Sequence, residues 1–295
     1  MSKAVVGCVG LGLMGGGIAR RLIETGHAVA GYDIVPAKVV AAAKWGVDAR
    51  ASPADVARGA DIVLLSVTST AAVEAAVLGE RGIASAGRLE GKVVVDHSTT
   101  KIDTTKRIAA ALSAATAMSF VDAPVSGGPE AALQGRLAIM AGGETAAIQR
   151  IAPVMVQLGR LTHMGAVGAG QATKLVNQTL VLSNYCVIAE ALRLAEAYGV
   201  DAAKIPAALA SGHAGSNLLP VLFERMIARD FTPKGYARQV LKDLEMLHEA
   251  AGARHLTMPM AAQALTLFRL LVAQGKSELD GTAILTLYPE PTRQQ

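Results

Sequence analysis

Lys174, Asn177 and Gln178 are the residues of this chain whose types and spacing most favour chemistry. They lie in an apolar stretch, Gly168 to about Tyr198, that predicts one long helix on which positions i, i+3 and i+4 share a face. Because partial burial lowers the pKa of a lysine, a lysine beside an amide on such a helix is a candidate acid/base group. The alternative is a surface lysine whose stem lies along apolar surface while its charge stays in water.

Two further clusters could bind a small anion or close a site. Ser126, Gly127 and Gly128 follow a predicted strand and offer a hydroxyl and close backbone N–H groups, which suit a carboxylate. An ordinary Gly-Pro loop is the alternative there. Lys242 and Asp243 lie on a predicted helix and could complete a site, or they form a solvated ion pair.

The segment Gly10–Gly15 predicts where a dinucleotide binds. It follows an apolar strand at Ala4–Val9 and opens a helical stretch at Gly16–Thr25, with the spacing G-x-G-x-x-G. The first glycine permits a tight turn, the second lets backbone approach a pyrophosphate, and the third lets the helix pack close to the strand. The amino end of the helix then favours the phosphates. A plain strand-to-helix turn is the alternative.

Asp33 refines this prediction toward NAD. It follows a second strand, Ala28–Tyr32, where a carboxylate can bond the ribose hydroxyls of the adenosine half. The same charge repels a 2′-phosphate, and residues 34–36 contain no arginine to offset it, so NAD is preferred to NADP. The alternative role of Asp33 is the N-cap of a helix that begins near Pro36.

The elements that must position these residues form an α/β region followed by an all-helical one. Short apolar strands alternate with helices in the first half, which predicts a Rossmann-type, doubly wound, mainly parallel sheet. We expect an NAD-binding domain over residues 1–165 and a helical substrate and oligomerisation domain over residues 166–295, beginning with a long interdomain helix. The predicted strands are Ala4–Val9, Ala28–Tyr32, Ile62–Val67, Val93–Asp96, Ser119–Val121, Leu137–Ala141 and Leu161–His163, and the later helices are Asp201–Ala210, Leu218–Arg229, Tyr236–Ala251 and Met260–Gln274.

Composition narrows the class of protein. The 295 residues carry a net charge of only +4 with scattered Lys and Arg, so nucleic-acid binding is not expected. No apolar stretch reaches about 18 residues without a charged or polar break, and the first strand begins by Ala4, so we expect neither a membrane span nor a signal peptide. Cys8 and Cys186 show no disulfide pattern and the six histidines form no metal motif, which fits a metal-free protein of the reducing cytoplasm.

Taken together, the motifs resemble the β-hydroxyacid dehydrogenase family, of the 3-hydroxyisobutyrate dehydrogenase and tartronate semialdehyde reductase type. The resemblance covers essentially the full chain and is carried by the order and spacing of five segments. They are Gly10–Gly15, Asp96–Thr99, Asp122–Gly128, Gly168–Gln178 and Lys242–Leu244. Two segments depart from the family pattern: Val67-Thr68-Ser69 replaces a Leu-Pro-Asn-like turn, and Gly235-Tyr236 replaces part of a Pro-Gly-Phe pattern.

The resemblance implies roles for single residues. Lys174 matches the catalytic lysine, Asn177 matches an amide that helps hold the substrate, and Ser126, Gly127 and Gly128 match the loop that binds its carboxylate. The cofactor-binding residues, from the glycine motif and from the resemblance together, are Gly10, Leu11, Gly12, Leu13, Met14, Gly15, Asp33, Val67, Thr68, Thr99 and Lys242.

The reaction implied is the reversible, NAD-dependent oxidation of a small 3-hydroxy carboxylate to a semialdehyde or keto acid. A semialdehyde reductase that works in the opposite direction is one alternative, since cofactor ratios set the direction. A non-catalytic dinucleotide-binding module is another, which the presence of Lys174 and Asn177 disfavours.

The long helix also predicts a homodimer or homotetramer, because it is apolar on more than one face. The side chains that the short later helices cannot easily cover are Leu175, Val176, Leu180, Leu182, Val187, Ile188, Leu192 and Leu194. The alternative is that the later helices cover them within one chain.

Overall fold

Nine strands form one sheet in the computed structural model, which describes residues 3–291. They are β1 (Val6–Val9), β2 (Val29–Tyr32), β3 (Asp48–Ala49), β4 (Ile62–Leu65), β5 (Val93–Asp96), β6 (Ser119–Asp122), β7 (Val125–Ser126), β8 (Leu137–Gly142) and β9 (Gly159–Gly165). Their order is β3-β2-β1-β4-β5-β6-β8-β7, with β9 beside β8. The strands from β3 to β6 in this order are parallel, and β8 is antiparallel to β6. The predicted Rossmann-type, mainly parallel sheet is confirmed.

Helices cover both faces of this sheet, as a parallel sheet requires. They are α1 (Leu13–Glu24), α2 (Pro36–Ala43), α3 (Pro53–Gly59), α4 (Thr70–Leu78), α5 (Ile102–Thr116), α6 (Gly128–Gln134) and α7 (Thr145–Leu158), with a 3-10 turn at Ile83–Ala86. Alternate residues of β4 serve the two faces: Ile62 and Leu64 pack with α1 and α7, whereas Val63 and Leu65 pack with α3, α4 and α5. The one tryptophan of the chain, Trp45, follows α2. Its ring lies 3.7 Å from where a Cβ on Gly16 of α1 would be.

The remaining residues form a second compact unit made of helices. Its helices are α8 (Ala169–Ala197), α9 (Ile205–Leu209), α10 (Leu218–Ile227), α11 (Ala237–Gly252) and α12 (Pro259–Ala273), with 3-10 turns at Ala202–Lys204 and Gly281–Leu287. Their core includes Leu192 of α8, Phe223 of α10 and Phe268 of α12. The first unit runs to Lys174 and the second begins at Leu175, inside α8, whereas the domain boundary that we expect from the sequence lies at 165/166.

Several short elements differ from the sequence prediction. Strands β3 and β7 have only two residues each, too few for a hydrophobic period to mark them. The predicted helix Asp201–Ala210 is divided into a 3-10 turn and α9, where Pro206 occupies the first turn and favours a new helix start. Helix α1 begins at Leu13, within the glycine motif, earlier than the predicted Gly16.

Among the helices within residues 3–291, α8 is long and apolar enough to cross a membrane by length and composition alone. One such helix is weak evidence of a membrane span, because the core helices of globular proteins can have the same length and composition. Leu182, Ile188 and Leu192 of α8 are buried in the core of the second unit. The expectation that the chain has no membrane span stays a prediction.

Candidate active site

The carboxyl ends of the parallel strands meet at one edge of the sheet. Register pairs Val9 of β1 with both Tyr32 of β2 and Leu65 of β4. Leu65 pairs in turn with Asp96 of β5, and Asp96 pairs with Asp122 of β6. The segments that follow these residues therefore share one edge. The strand order reverses at β1, and open α/β sheets bind ligands at such a switch point.

Each glycine of the turn after β1 is required, or left open, for a different structural reason. Gly10 has a φ of +93°, and a Cβ there would lie 2.2 Å from the carbonyl oxygen of Ser66. A Cβ on Gly15 would lie 1.9 Å from the carbonyl oxygen of Gly10, so only glycine lets α1 approach the turn. A Cβ on Gly12 would instead project into open space, where its nearest neighbour is Lys38 Nζ at 3.9 Å. This open cradle at the amino end of α1 fits a pyrophosphate.

Asp33 is buried and held by backbone groups. Its Oδ2 accepts the N–H of Leu11 at 2.7 Å, and its Oδ1 accepts the N–H of Val35 at 2.8 Å. The N-cap of α2 is Val35, so the alternative role of Asp33 as that N-cap is wrong. Lys38 Nζ lies 3.8 Å from Asp33 Oδ2, which places a cation beside the predicted ribose site. Lys38 is not among the predicted cofactor residues, although its place in the first turn of the helix after Asp33, the predicted ribose-binding residue, could have indicated it.

The turns after β4 and β5 are tied together. Ser98 Oγ accepts the N–H of Val67 at 3.0 Å, and the N–H of Ser98 donates to Asp96 Oδ1 at 2.9 Å. Thr68 is exposed and Thr99 is half-buried beside these anchored residues. The predicted cofactor residues of both turns therefore lie at the same sheet edge as the glycine turn.

Lys174 is buried beside the loop that follows β6. It is 8% exposed, and its Nζ donates to the carbonyl oxygen of Val125 at 2.7 Å. Val125 directly precedes the predicted carboxylate loop, Ser126, Gly127 and Gly128. Gly127 and Gly128 have φ values of +129° and +75°, which glycine adopts without strain. The structure thus brings the predicted acid/base group next to the predicted carboxylate loop.

Two carboxyl groups lie side by side behind these turns. Asp96 and Asp122 are register neighbours on β5 and β6, and both are fully buried. Burial raises the pKa of Asp96 to about 7, and hydrogen bonds from Ser98 oppose this rise. Burial raises the pKa of Asp122 to about 6, against hydrogen bonds from the N–H groups of Gly168 and Gln171. Asp96 and Asp122 are therefore two buried carboxyl groups with raised pKa values, at the strand ends that precede the turns of the candidate site.

In the second unit, a chain of polar contacts connects Asn177 to Lys242. Asn177 Nδ2 donates to Gln178 Oε1 at 2.8 Å, and Gln178 Nε2 donates to Asp243 Oδ2 at 2.6 Å. Lys242 Nζ lies 2.9 Å from Asp243 Oδ1. Gln178 and Asp243 therefore contact Asn177 and Lys242, the two residues of this chain of contacts to which the family resemblance gives a role. The sequence gives Gln178 and Asp243 themselves no definite role.

The thiols and possible metal ligands add no reactive group to this arrangement. Within residues 3–291, no group of three or more His, Cys, Asp and Glu side chains could hold a metal ion. Cys8 and Cys186 are free, buried thiols, and burial raises the pKa of each to about 12. Such thiols are protonated, and therefore unreactive, near neutral pH.

Two family profiles match the chain. One, described as the NAD binding domain of 6-phosphogluconate dehydrogenase, matches residues 5–170. The other, described as the NAD-binding domain of NADP-dependent 3-hydroxyisobutyrate dehydrogenase, matches residues 168–288. The two matches together span the glycine turn, both strand-end turns, Lys174 and the helices that follow.

Individual proteins are similar over almost their full length. The 2-hydroxy-3-oxopropionate reductase of Escherichia coli (strain K12) is 35% identical over 281 residues, which are 95% of each protein. A crystal structure of 3-hydroxyisobutyrate dehydrogenase from Salmonella typhimurium is 29% identical with a TM-score of 0.87, and the match covers 97% of this chain and 100% of that one. A Mycobacterium tuberculosis 3-hydroxyisobutyrate dehydrogenase with L-serine is 28% identical with a TM-score of 0.82, over 98% and 100% of the two chains.

Proposed function

Because the chain belongs to the 3-hydroxyisobutyrate dehydrogenase family, we propose that it catalyses the reversible NAD-dependent oxidation of a small 3-hydroxy carboxylate. Family membership makes it an NAD-binding oxidoreductase, and the product would be a semialdehyde or keto acid. One observation carries the proposal. Lys174 is buried with its Nζ 2.7 Å from the carbonyl oxygen of Val125, immediately before the Ser126–Gly128 loop and at the edge that also bears the glycine turn.

The residues of the glycine turn would hold NAD together with Asp33. The pyrophosphate suits the open cradle at Gly12, and the adenosine ribose suits the carboxylate of Asp33. When bound, the nicotinamide supplies the redox chemistry by exchanging a hydride with the substrate. The residues proposed for the nicotinamide half are Val67, Thr68, Thr99 and Lys242.

Lys174 exchanges the substrate proton. In the oxidation direction its neutral amine takes the proton of the hydroxyl group, and in the reduction direction its ammonium returns a proton to the carbonyl oxygen. The ammonium also stabilises negative charge that develops on that oxygen. The carbonyl oxygen of Val125 holds Nζ in place through both steps.

The substrate is oriented by its carboxylate. The Ser126 hydroxyl and the N–H groups of Gly127 and Gly128 would donate hydrogen bonds to this carboxylate, so that the substrate hydroxyl points to Lys174. Asn177 lies three residues beyond Lys174 on α8 and orients the substrate or the lysine. Its Nδ2 donates to Gln178 Oε1, and its Oδ1 could accept a hydrogen bond from the substrate hydroxyl or from the lysine.

Reduction of a semialdehyde is the second candidate, and the name of one relative favours it. The E. coli relative is named a 2-hydroxy-3-oxopropionate reductase, whereas the M. tuberculosis structure contains L-serine, a small 3-hydroxy carboxylate. Both directions use the same residues. The two free thiols support the further proposal that the protein works in the reducing cytoplasm.

A panel of 3-hydroxy acids with NAD, and of semialdehydes with NADH, tests the proposal through the absorbance of the reduced nicotinamide. Lys174→Ala should lower kcat about 10²- to 10⁴-fold, because it removes the acid/base group. NADH affinity, measured by fluorescence titration, should stay within a few-fold of the wild type. Lys44→Ala, which removes an exposed lysine, is the control. Near-wild-type turnover by Lys174→Ala would remove this residue from the mechanism.

A further inference from the structure

Asp122 attaches the first turn of α8 to the end of β6. Its Oδ1 accepts the N–H of Gly168 at 2.7 Å, and its Oδ2 accepts the N–H of Gln171 at 2.8 Å. A Cβ on Gly170 would lie 2.4 Å from the carbonyl oxygen of Asp122, so the helix start is also in close contact with the strand. This carboxylate therefore determines where α8 begins relative to the sheet, and Lys174 lies one helical turn after Gln171.

The side chain of Gln171 attaches the same turn of α8 to the segment after β5. Its Nε2 donates to the carbonyl oxygen of Ser98 at 2.8 Å, and its Oε1 accepts the N–H of Thr100 at 3.0 Å. These two bonds lie on either side of Thr99, a residue proposed for the nicotinamide half of the cofactor. Because Gln171 is only 1% exposed, it affects a ligand through the residues that it holds.

Lys174 supplies the third attachment of the helix. Its Nζ bonds the carbonyl oxygen of Val125, three residues after Asp122. The first two turns of α8 are thus joined to the end of β5 by one side chain and to the end of β6 by two. Such an arrangement fixes the distance from the lysine to each of the two turns.

We propose that Asp122 and Gln171 are positioning residues of the reaction, which hold Lys174 at a fixed place relative to Thr99 and Ser126. The inference rests on the proposed function, because it takes Lys174 as the acid/base group. A displacement of about 1 Å between reacting groups can cost about 10²-fold in rate. Loss of either attachment should therefore lower kcat more than it changes cofactor affinity.

Three variants test this role. Gln171→Met preserves the length of the side chain and removes both bonds to the segment after β5. Asp122→Asn preserves shape but leaves one of the two helix N–H groups without an acceptor. Thr116→Val is the matched control, because the Thr116 hydroxyl is also fully buried, donates to the carbonyl oxygen of Leu112 and accepts the N–H of Met118. Thr116 ends α5 before β6 begins, at the opposite edge of the sheet.

We expect kcat of Gln171→Met and Asp122→Asn to fall about 10- to 100-fold, with the dissociation constant of NADH within about threefold of the wild type. Thr116→Val should lower the melting temperature similarly and keep kcat within about twofold. The proposal is overturned if both site variants keep a wild-type kcat, or if Thr116→Val loses as much activity as they do. Should Asp122→Asn not fold, Gln171→Met decides alone.

Amide hydrogen exchange gives a readout that does not depend on turnover. In Gln171→Met the N–H of Thr100 loses its acceptor, so exchange in a peptide that covers Ser98–Thr105 should accelerate, whereas Thr116→Val should leave it unchanged. Wild-type exchange in Gln171→Met would overturn the positioning role. If the wild-type protein turns over no member of the panel, the proposed function fails separately, and the exchange rates still decide whether Gln171 holds this segment.

Discussion

Asp33 and Lys38 place opposite charges at the predicted adenosine ribose site. The carboxylate is buried and fixed by two backbone N–H groups, whereas the side chain of Lys38 is 46% exposed. A 2′-phosphate would therefore meet direct repulsion from Asp33 and a weaker, solvent-screened attraction to Lys38. The balance favours NAD, as Asp33 alone also predicts.

We expect kcat/KM with NADH to exceed that with NADPH by about 100-fold, since contact between like charges costs several kcal/mol. Asp33→Asn should lower this ratio and Lys38→Ala should raise it. The control is Lys44→Ala, which removes an exposed lysine from the end of the same helix α2 and should leave the ratio unchanged. Equal use of both cofactors by the wild-type enzyme would contradict the ribose argument.

At the scale of elements, the pairing of β5 with β6 places two carboxyl groups side by side in the interior. Asp96 and Asp122 end their strands at the same level of the sheet, and burial raises the pKa of both. The folded protein therefore binds these protons more tightly than the unfolded chain does. The contribution of these two groups to the free energy of unfolding therefore falls as the pH rises from about 4 toward 7.

As the pH rises through this range, the free energy of unfolding of Asp96→Asn should increase relative to that of the wild type. The variant keeps an acceptor for the N–H of Ser98 and removes the group whose ionisation is unfavourable. A change in pKa from 3.8 to about 7 corresponds to at most about 4 kcal/mol. Urea unfolding followed by circular dichroism between pH 4.5 and 7.5 measures the difference, with exposed Asp103→Asn as control. A difference that does not change with pH would show that Asp96 does not titrate there.

The elements that the sequence predicts best are those with a local hydrophobic pattern. The runs at Ile62–Leu65 and Val93–Asp96 are apolar and rich in β-branched residues, so their strands could be predicted almost to the residue. The two-residue strands β3 and β7 have no such pattern. They exist because neighbouring strands supply hydrogen-bonding partners, which is information that a local window lacks.

The same distinction applies to the candidate site. Gly10 and Gly15 are predictable because the tight turn itself leaves no room for a Cβ at either position. Gln171 is not, since its partner Thr100 lies 71 residues away and nothing in either segment points to the other. Lys38 is an intermediate case, because its helix follows Asp33 directly but its side chain must fold back to reach the carboxylate.

At the scale of the whole molecule, α8 carries an exposed apolar stripe on one side. The stripe residues are Val176, Leu180, Val187 and Leu194, each 49–63% exposed. At 3.6 residues per turn they fall within an arc of about 40° and extend for about 27 Å. Leu182, Ile188 and Leu192, which the sequence also marks as excess apolar surface, are instead buried in the core of the second unit. The later helices therefore cover part of α8 and leave the stripe residues exposed.

We expect the protein to be a homodimer or homotetramer in which the stripe residues are buried, because apolar surface of this extent is usually covered in solution. Light scattering should give a mass of two or four times 30.3 kDa. Leu180→Glu should lower that mass, whereas Leu270→Glu, at an exposed position of a different helix, α12, should not. A wild-type mass of one chain refutes the prediction, and an unchanged mass for Leu180→Glu excludes the stripe as the interface.

The position of Trp45 makes the two units optically distinguishable. This one indole belongs to the first unit, whereas four of the five tyrosines, Tyr185, Tyr198, Tyr236 and Tyr288, belong to the second. Tryptophan fluorescence, excited at the long-wavelength end of the aromatic absorption band where tyrosine does not absorb, therefore reports the first unit alone. Tyrosine fluorescence reports mainly the second unit. Denaturation curves from the two chromophores in a single sample will coincide if the units melt together and separate if they melt one after the other.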